Sequence, residues 1–246
     1  MHHLLRKQIR LLAFVAACIA SFSAMAQEKE INRAEHDDLP YYFGITLGYN
    51  SSYLHANKSS YFLKQDSILS AQPGSGGGIT LGFVGTLKLN DHFQFRLNPQ
   101  LVLGGGKYFT YTLNPNRLRA DRSESLNTQK TLPSTLLSMP IQIKFNSDRI
   151  DNFRFYALGG IRLDKDLSSN SAARNAEDLI KLSGNDFGLE TGLGCNFFLK
   201  FVTISPELKF SYGLTNIHAR DPNLKYSAIF DKIQSRMISF SIHFED

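Results

Sequence analysis

The chain has 246 residues, a formal net charge of +5 and 42% hydrophobic residues, with a mean hydropathy of −0.20. That hydropathy excludes a bundle of transmembrane helices, the 19 Phe and 10 Tyr argue against disorder, and the length suits one or two globular domains. The order of the residues, rather than their proportions, points elsewhere.

Residues 1–26 read as a secretory signal. Arg6, Lys7 and Arg10 form a basic start, residues 11–22 a short apolar core, and Ala24-Met25-Ala26 a small-x-small cleavage site, so the mature chain is expected to begin at Gln27. The apolar stretch is too short for a permanent helical anchor. Val15-Ala16-Ala17-Cys18 also fits a lipoprotein cleavage box, which would leave Cys18 lipidated. Removing the signal takes away three basic side chains and no acidic ones, leaving 24 Lys and Arg against 22 Asp and Glu. The basic balance therefore belongs largely to the signal, and a nucleic-acid partner finds little support. Cys195 is then the single cysteine, which excludes an intramolecular disulfide and a Cys-based metal site.

Residues 27–40, with five carboxylates against two bases, read as a flexible periplasmic arm. From Tyr41 to the end, residues 41–246, apolar and polar residues alternate with period two, the signature of strands with two unlike faces. Eight such stretches are predicted: residues 41–49, 79–89, 93–103, 137–145, 153–163, 187–197, 202–214 and 238–244. The third could continue through the Gly104–Gly106 kink to Phe109 and Tyr111. The connections alternate long and short. Residues 51–76, 113–131, 165–186 and 215–236 are the long ones; 90–91, 146–152 and 199–200 are short. Short turns on one side, long loops on the other and strands of about ten residues predict an all-β fold: an eight-stranded antiparallel up-and-down transmembrane β-barrel of the outer-membrane type, with both termini periplasmic. A soluble β-sandwich needs no alternation of loop length. A lipocalin-like barrel would turn its apolar face inward around a ligand cavity.

With the apolar set facing lipid, the lumen receives Lys88, Arg96, Lys144, Arg154, Arg162, Asp164, Glu190, Glu207 and Lys209. Both signs occur, and an eight-stranded barrel is only wide enough for its own side chains. A paired network that fills the lumen is expected, rather than a diffusion pore. Tyr41, Tyr49, Tyr53, Tyr108, Tyr111, Phe153, Phe197 and Tyr212 lie near strand ends and suit interfacial girdles. The last strand ends on Phe244, like a barrel-assembly signal, although Glu245 and Asp246 follow it.

The chain is not expected to be an enzyme, and no cofactor is expected. It holds no HExxH and no GxSxG, and Gly74 and Gly76–Gly78 lack the Lys-Ser/Thr of a phosphate loop. His55 and His218, with Asp221 nearby, are the best candidates for a loop-borne site. In the last long loop, Tyr226, Ile229, Phe230 and Ile233 have the spacing of one helix face. Such a face would either pack over the barrel mouth or meet another protein. A short helix is also predicted over residues 172–182.

Three motifs carry a family resemblance. Ser138-Met-Pro-Ile-Gln-Ile-Lys144 resembles the xxPxxxKY strand of PorT-like outer-membrane barrels, with Phe145 where Tyr is frequent. Gly188-Leu-Glu-Thr-Gly-Leu-Gly194 resembles that family's following Gly-rich strand. Residues 206–217 resemble its penultimate strand and the start of the last outer loop. The resemblance covers residues 39–246. It implies a part in type IX secretion and in the maturation of cargo proteases, the gingipains, through contacts with other secretion-machinery proteins. It supplies no catalytic or binding residues.

Overall fold

The fold is that of a computed structural model, which describes residues 31–104, 106–117, 125–132, 134–168, 180, 182–219 and 226–246. The signal, Cys18, Asp221 and most of the helix predicted over residues 172–182 lie outside the described residues. In chain order the elements are β1 (Tyr41–Lys58), α1 (Ser60–Lys64), β2 (Ile68–Gly74), β3 (Gly76–Lys88), β4 (Phe93–Leu97), β5 (Gln100–Gly104), β6 (Lys107–Leu113), β7 (Asn127–Leu132), β8 (Thr135–Asn146), β9 (Phe153–Asp166), β10 (Asn185–Phe198), β11 (Thr203–Gly213) and β12 (Phe230–Glu245). Short 3-10 turns cover Ala34–Asp37 and Pro115–Arg117.

Antiparallel pairing runs β1-β12-β11-β10-β9-β8, then through β4 and β5 to β3, and β3 pairs back to β1. The sheet therefore closes. The predicted third strand is one stave of the wall made of two pieces, because Asn98 and Pro99 interrupt it. Proline brings no N–H to a ladder, yet the wall holds there: Pro99 O accepts from Phe83 N at 2.9 Å and Asn98 N donates to Pro140 O at 3.2 Å. Counting that stave once gives eight.

The two faces of the wall are sorted as period two requires. Phe43, Ile45, Leu47, Leu81, Phe83, Leu193, Leu208 and Phe240 point outward and are exposed, Phe83 to 70% and Leu193 to 68%. Arg96, Lys144 and Glu207 point inward and are fully buried. A lipocalin-like interior is thereby excluded, since the inside of this barrel is polar. Closure also removes the free strand edges that hydrocarbon would not tolerate. Aromatic rings gather at the end that carries the short turns. Phe153 lies 4.4 Å from Phe155 and 5.1 Å from Phe197, and Phe93 lies 5.1 Å from Phe145.

The other end, where the long connections emerge, departs from the expectation of loops. β1 continues past the predicted Tyr49, and its register with β12 runs on from Ser51↔Ile238 to Lys58↔Phe230. β2, β6 and β7 form a second, three-stranded sheet. They are the upper continuations of β3, β5 and β8. Gly104 adopts φ +80°, a left-handed backbone that glycine accepts without a steric penalty. The stretch to Tyr111 thus bends into this second sheet instead of prolonging the wall.

The second sheet covers a hydrophobic cluster that includes Leu54, Phe109, Tyr111, Leu113, Ile217, Tyr226, Ile229, Phe230 and Ile233. Two expectations are corrected here. Tyr111 is buried in this cap rather than placed in a girdle. Tyr226, Ile229, Phe230 and Ile233 lie on no helix and form no exposed partner face; of the two expected placements they take the one over the barrel mouth. Residues 226–229 make a turn, β12 begins at Phe230, and all four side chains are buried. The ladder to β1 takes up the backbone groups that a helix would have paired internally, with Ala56 opposite Ile233.

Candidate functional site: a charged lumen closed at both ends

Inside the wall the charges form a linked central cluster and an ion pair nearer the cap. Arg96 reaches across from β4, with Nη1 2.8 Å from Glu207 Oε2 on β11 and Nη2 3.0 Å from Glu245 Oε1 on β12. Tyr156 OH donates to Glu207 Oε2 at 2.8 Å, and Lys209 Nζ lies 3.4 Å from Glu207 Oε1 and 3.9 Å from Glu190 Oε1. Ser211 Oγ donates to Glu190 Oε2 at 2.9 Å, and Gln142 Nε2 donates to Glu190 Oε1. Lys144 Nζ donates to Asn196 Oδ1 at 3.2 Å and sits 3.9 Å over the Tyr156 ring. Nearer the cap, Arg162 Nε pairs with Asp164 Oδ2 at 2.8 Å, and Ser138 Oγ donates to Asp164.

The signs balance. Arg96, Lys144, Arg162 and Lys209 face Asp164, Glu190, Glu207 and Glu245, all buried. Burying a lone charge is prohibitive, whereas a paired and hydrogen-bonded one is tolerated. The neighbouring wall is neutral: Tyr42 OH donates to Gln94 Oε1 at 2.9 Å, Thr46 Oγ1 to Asn98 Oδ1 at 3.1 Å and Asn50 Nδ2 to Thr80 Oγ1 at 3.1 Å.

Of the nine charges assigned to the lumen from sequence, seven are buried inside the wall. Lys88 and Arg154 lie instead at the turn end, where Lys88 Nζ donates to Asp37 O at 2.7 Å and Arg154 Nη1 pairs with Asp37 Oδ1 at 2.9 Å. Two members were missed. Glu245 is the last inward position of β12, and His243 lies 3.3 Å from Glu207 Oε1 and 2.9 Å from Thr46 Oγ1. The alternation Ser239, Ser241, His243, Glu245 carries the signal for both: His243 lies on the polar face of the predicted strand but was not counted among the charges, and Glu245 lies one residue past the expected end at Phe244.

The turn end is closed by the segment expected to be a flexible arm. Its described part is docked. Asn32 N donates to Asn152 Oδ1 at 2.8 Å, and Asp37 Oδ2 pairs with Arg149 at 2.9 Å. The His36 ring packs 4.6 Å from Tyr42 and 5.8 Å from Phe198. Burial, reinforced by the Arg33 charge, holds the His36 imidazole below its ordinary pKa, so it sits there neutral. Two guanidiniums on one carboxylate and a ring between two rings explain why the described residues 31–40 do not trail free.

The loop end is closed by the cap. Beneath it, Lys107, Arg162, Asp164, Asp186 and Ser235 line a slot of about 20 Å³, room for roughly one water. Burial, then the neighbouring Arg162, lowers the Lys107 pKa. His218 lies within the cap, its Nε2 2.8 Å from Ser227 Oγ, whereas His55 faces outward from β1; the structure does not bring the two together. Among the described residues no group of three or more His, Cys, Asp or Glu is placed to hold a metal ion.

Residues 25–219 match a family described as outer membrane protein beta-barrel domain. No curated protein matches the sequence. Among solved structures, the chain is similar to Neisserial surface protein A, at 13% identity and a TM-score of 0.41 over 82% of this chain and 96% of that one. It is similar to OprG from Pseudomonas aeruginosa, at 13% and 0.43 over 82% and 94%. It is also similar to Ail, the attachment invasion locus protein of Yersinia pestis, at 12% and 0.38 over 85% and 100%.

Proposed function

Because the chain belongs to the outer membrane protein beta-barrel domain family, and so stands in the outer membrane with its apolar wall against lipid, we propose that it serves type IX secretion. In this reading it is a factor required for export and maturation of cargo proteases of the gingipain type. The order of the three motifs ending at residue 217, and their likeness to PorT as a whole chain, support it. The turn end, with both chain ends, faces the periplasm, and the cap faces outward.

One observation carries the mode of action. The lumen is filled by balanced ion pairs and both mouths are covered, which leaves no conduit for cargo among the described residues. The barrel then works through contacts of its surfaces with other secretion-machinery proteins. It is not an enzyme and uses no cofactor. Changing both His55 and His218 to Ala is expected to leave its role in secretion intact.

A clean deletion in the source strain tests the reading. Unprocessed cargo protease is expected to accumulate inside the cell envelope and disappear from the surface, with both restored by the gene in trans. Normal export and processing, together with altered adhesion or envelope integrity, would replace the reading with that of a structural or adhesive barrel.

A further inference from the structure

The docked N-terminal segment belongs to the barrel by side chains rather than by sheet. It adds no rung to the ladder of the wall, and its seat is built from turns and from the chain's end. Asn32 Nδ2 donates to Phe198 O at 3.1 Å. Arg33 donates to Phe201 O at 3.2 Å and to Glu245 O at 3.3 Å, and pairs with Asp246 at 3.4 Å. Arg149 accommodates the segment from one side: its guanidinium donates to Asn32 O and lies 3.8 Å over the Phe198 ring. Arg33 and Asp151, which flank this contact, hold φ of 53° and 52°. These left-handed backbones are unfavourable for residues with a side chain, and release of the segment would free Arg33 from its own.

Without the segment, the mouth presents Lys88, Arg149 and Arg154 around a slot between Tyr42 and Phe198. This chemistry is specific. It accepts one carboxylate between two guanidiniums, one ring between two rings, and main-chain carbonyls on Arg149. Charged hydrogen bonds of this geometry are strong and directional. We propose that the turn-end mouth is a peptide-binding seat, filled in cis by residues 32–38, that takes an acidic segment of a second protein when the cis segment leaves. The partner segment carries an aromatic or His side chain followed by Asp or Glu, as His36-Asp37 does here. This inference stands whether or not the barrel serves secretion.

A fluorescent peptide of residues 31–40 tests it against the full-length barrel in detergent. The wild-type chain should bind the peptide weakly, because its seat is empty only a small fraction of the time and apparent affinity scales with that fraction. Full-length Asp37→Asn, whose own segment has lost both ion pairs, should bind it about tenfold or more tightly than wild type. A peptide with Asn at the Asp37 position should lose that gain, as should Asp37→Asn combined with Arg149→Ala and Arg154→Ala. Heat-modifiability on gels confirms that each barrel is folded. A second form lacking residues 27–38 gives the same readout with no cis competitor. Equal binding by wild type and Asp37→Asn, or equal binding of the two peptides, overturns the proposal.

Discussion

Two strands, β1 and β12, run through both the wall and the cap of this protein, and the two regions have opposite interiors. β12 begins with Phe230 and Ile233 buried, then buries Ser239, Ser241, His243 and Glu245 further along. β1 buries Asn50 and Thr46 within the wall and Leu54 within the cap. The inward face therefore changes from apolar to polar along one ladder, whose register shifts only between Asn57 and Lys58. The surroundings explain the switch. Where water lies outside, apolar side chains gain by turning in. Where lipid lies outside, that gain vanishes, and the interior is left for groups that must pair with one another. Burial alone thus predicts nothing about residue type here, until the solvent on the far side is known.

The contrast can be broken most strongly in the lumen. Glu207→Ala would leave Arg96, Lys209 and His243 without their shared acceptor. A loss of about 3–5 kcal/mol is expected for one partner of a buried pair, read as a lower urea midpoint and a smaller heat-modifiable fraction. Unchanged values for both would show that the ion pairs do not hold the barrel.

The cap should answer to a different chemistry. Phe230→Ala removes a ring packed 4.8 Å from Phe109, and the cavity should cost about 3 kcal/mol. This loss should fall on the cap: limited proteolysis cuts its connections while the wall stays heat-modifiable. Loss of the wall as well would mean that cap and wall fold as one unit.

A smaller effect tests the close approach of two staves in the wall. At Gly160 an added Cβ would run into the Ile141 carbonyl and lie 2.8 Å from the Gln142 Cα. Gly160→Ala should cost about 1–3 kcal/mol through backbone displacement. Gly159→Ala, where nothing lies within 4 Å of the added atom, should be nearly silent by the same urea titration.

The smallest expected effect is at the turn end. His36 titrates below its ordinary value when docked, so the docked segment binds fewer protons than the free one. Its stability is therefore complete above the ordinary imidazole pKa and declines as pH falls through that value toward the lowered one. Protease cleavage within residues 31–40 should rise from pH 7.5 to pH 5. In His36→Phe, which keeps a ring between Tyr42 and Phe198, it should not.

The wall was legible because period two is a local property: Tyr41, Phe43, Ile45 and Leu47 must share a face whatever else the chain does. The charged lumen followed from it, as Arg96, Lys144 and Glu207 occupy the opposite parity. The cap was not legible, since it depends on three staves bending together and pairing again above the wall, which no single stretch encodes. There the spacing of Tyr226, Ile229, Phe230 and Ile233 misled, because a turn followed by a strand can bring the same four residues together as a helix would. The arm misled for a related reason. Its carboxylates read as solvated until Arg149 and Arg154, more than a hundred residues away, are placed beside Asp37.

The β1–β12 register, from Gly44↔Glu245 to Lys58↔Phe230, is the longest in the barrel. It joins β1 to β12, so it is the seam that a sheet growing in chain order forms only after the intervening strands. Its upper part is clamped inside the cap by Leu54, Phe230 and Ile233. Once zipped, the barrel cannot reopen sideways into the bilayer at this seam without first dissolving a water-facing hydrophobic core. The cap therefore acts as a kinetic catch on a joint that lies beneath it.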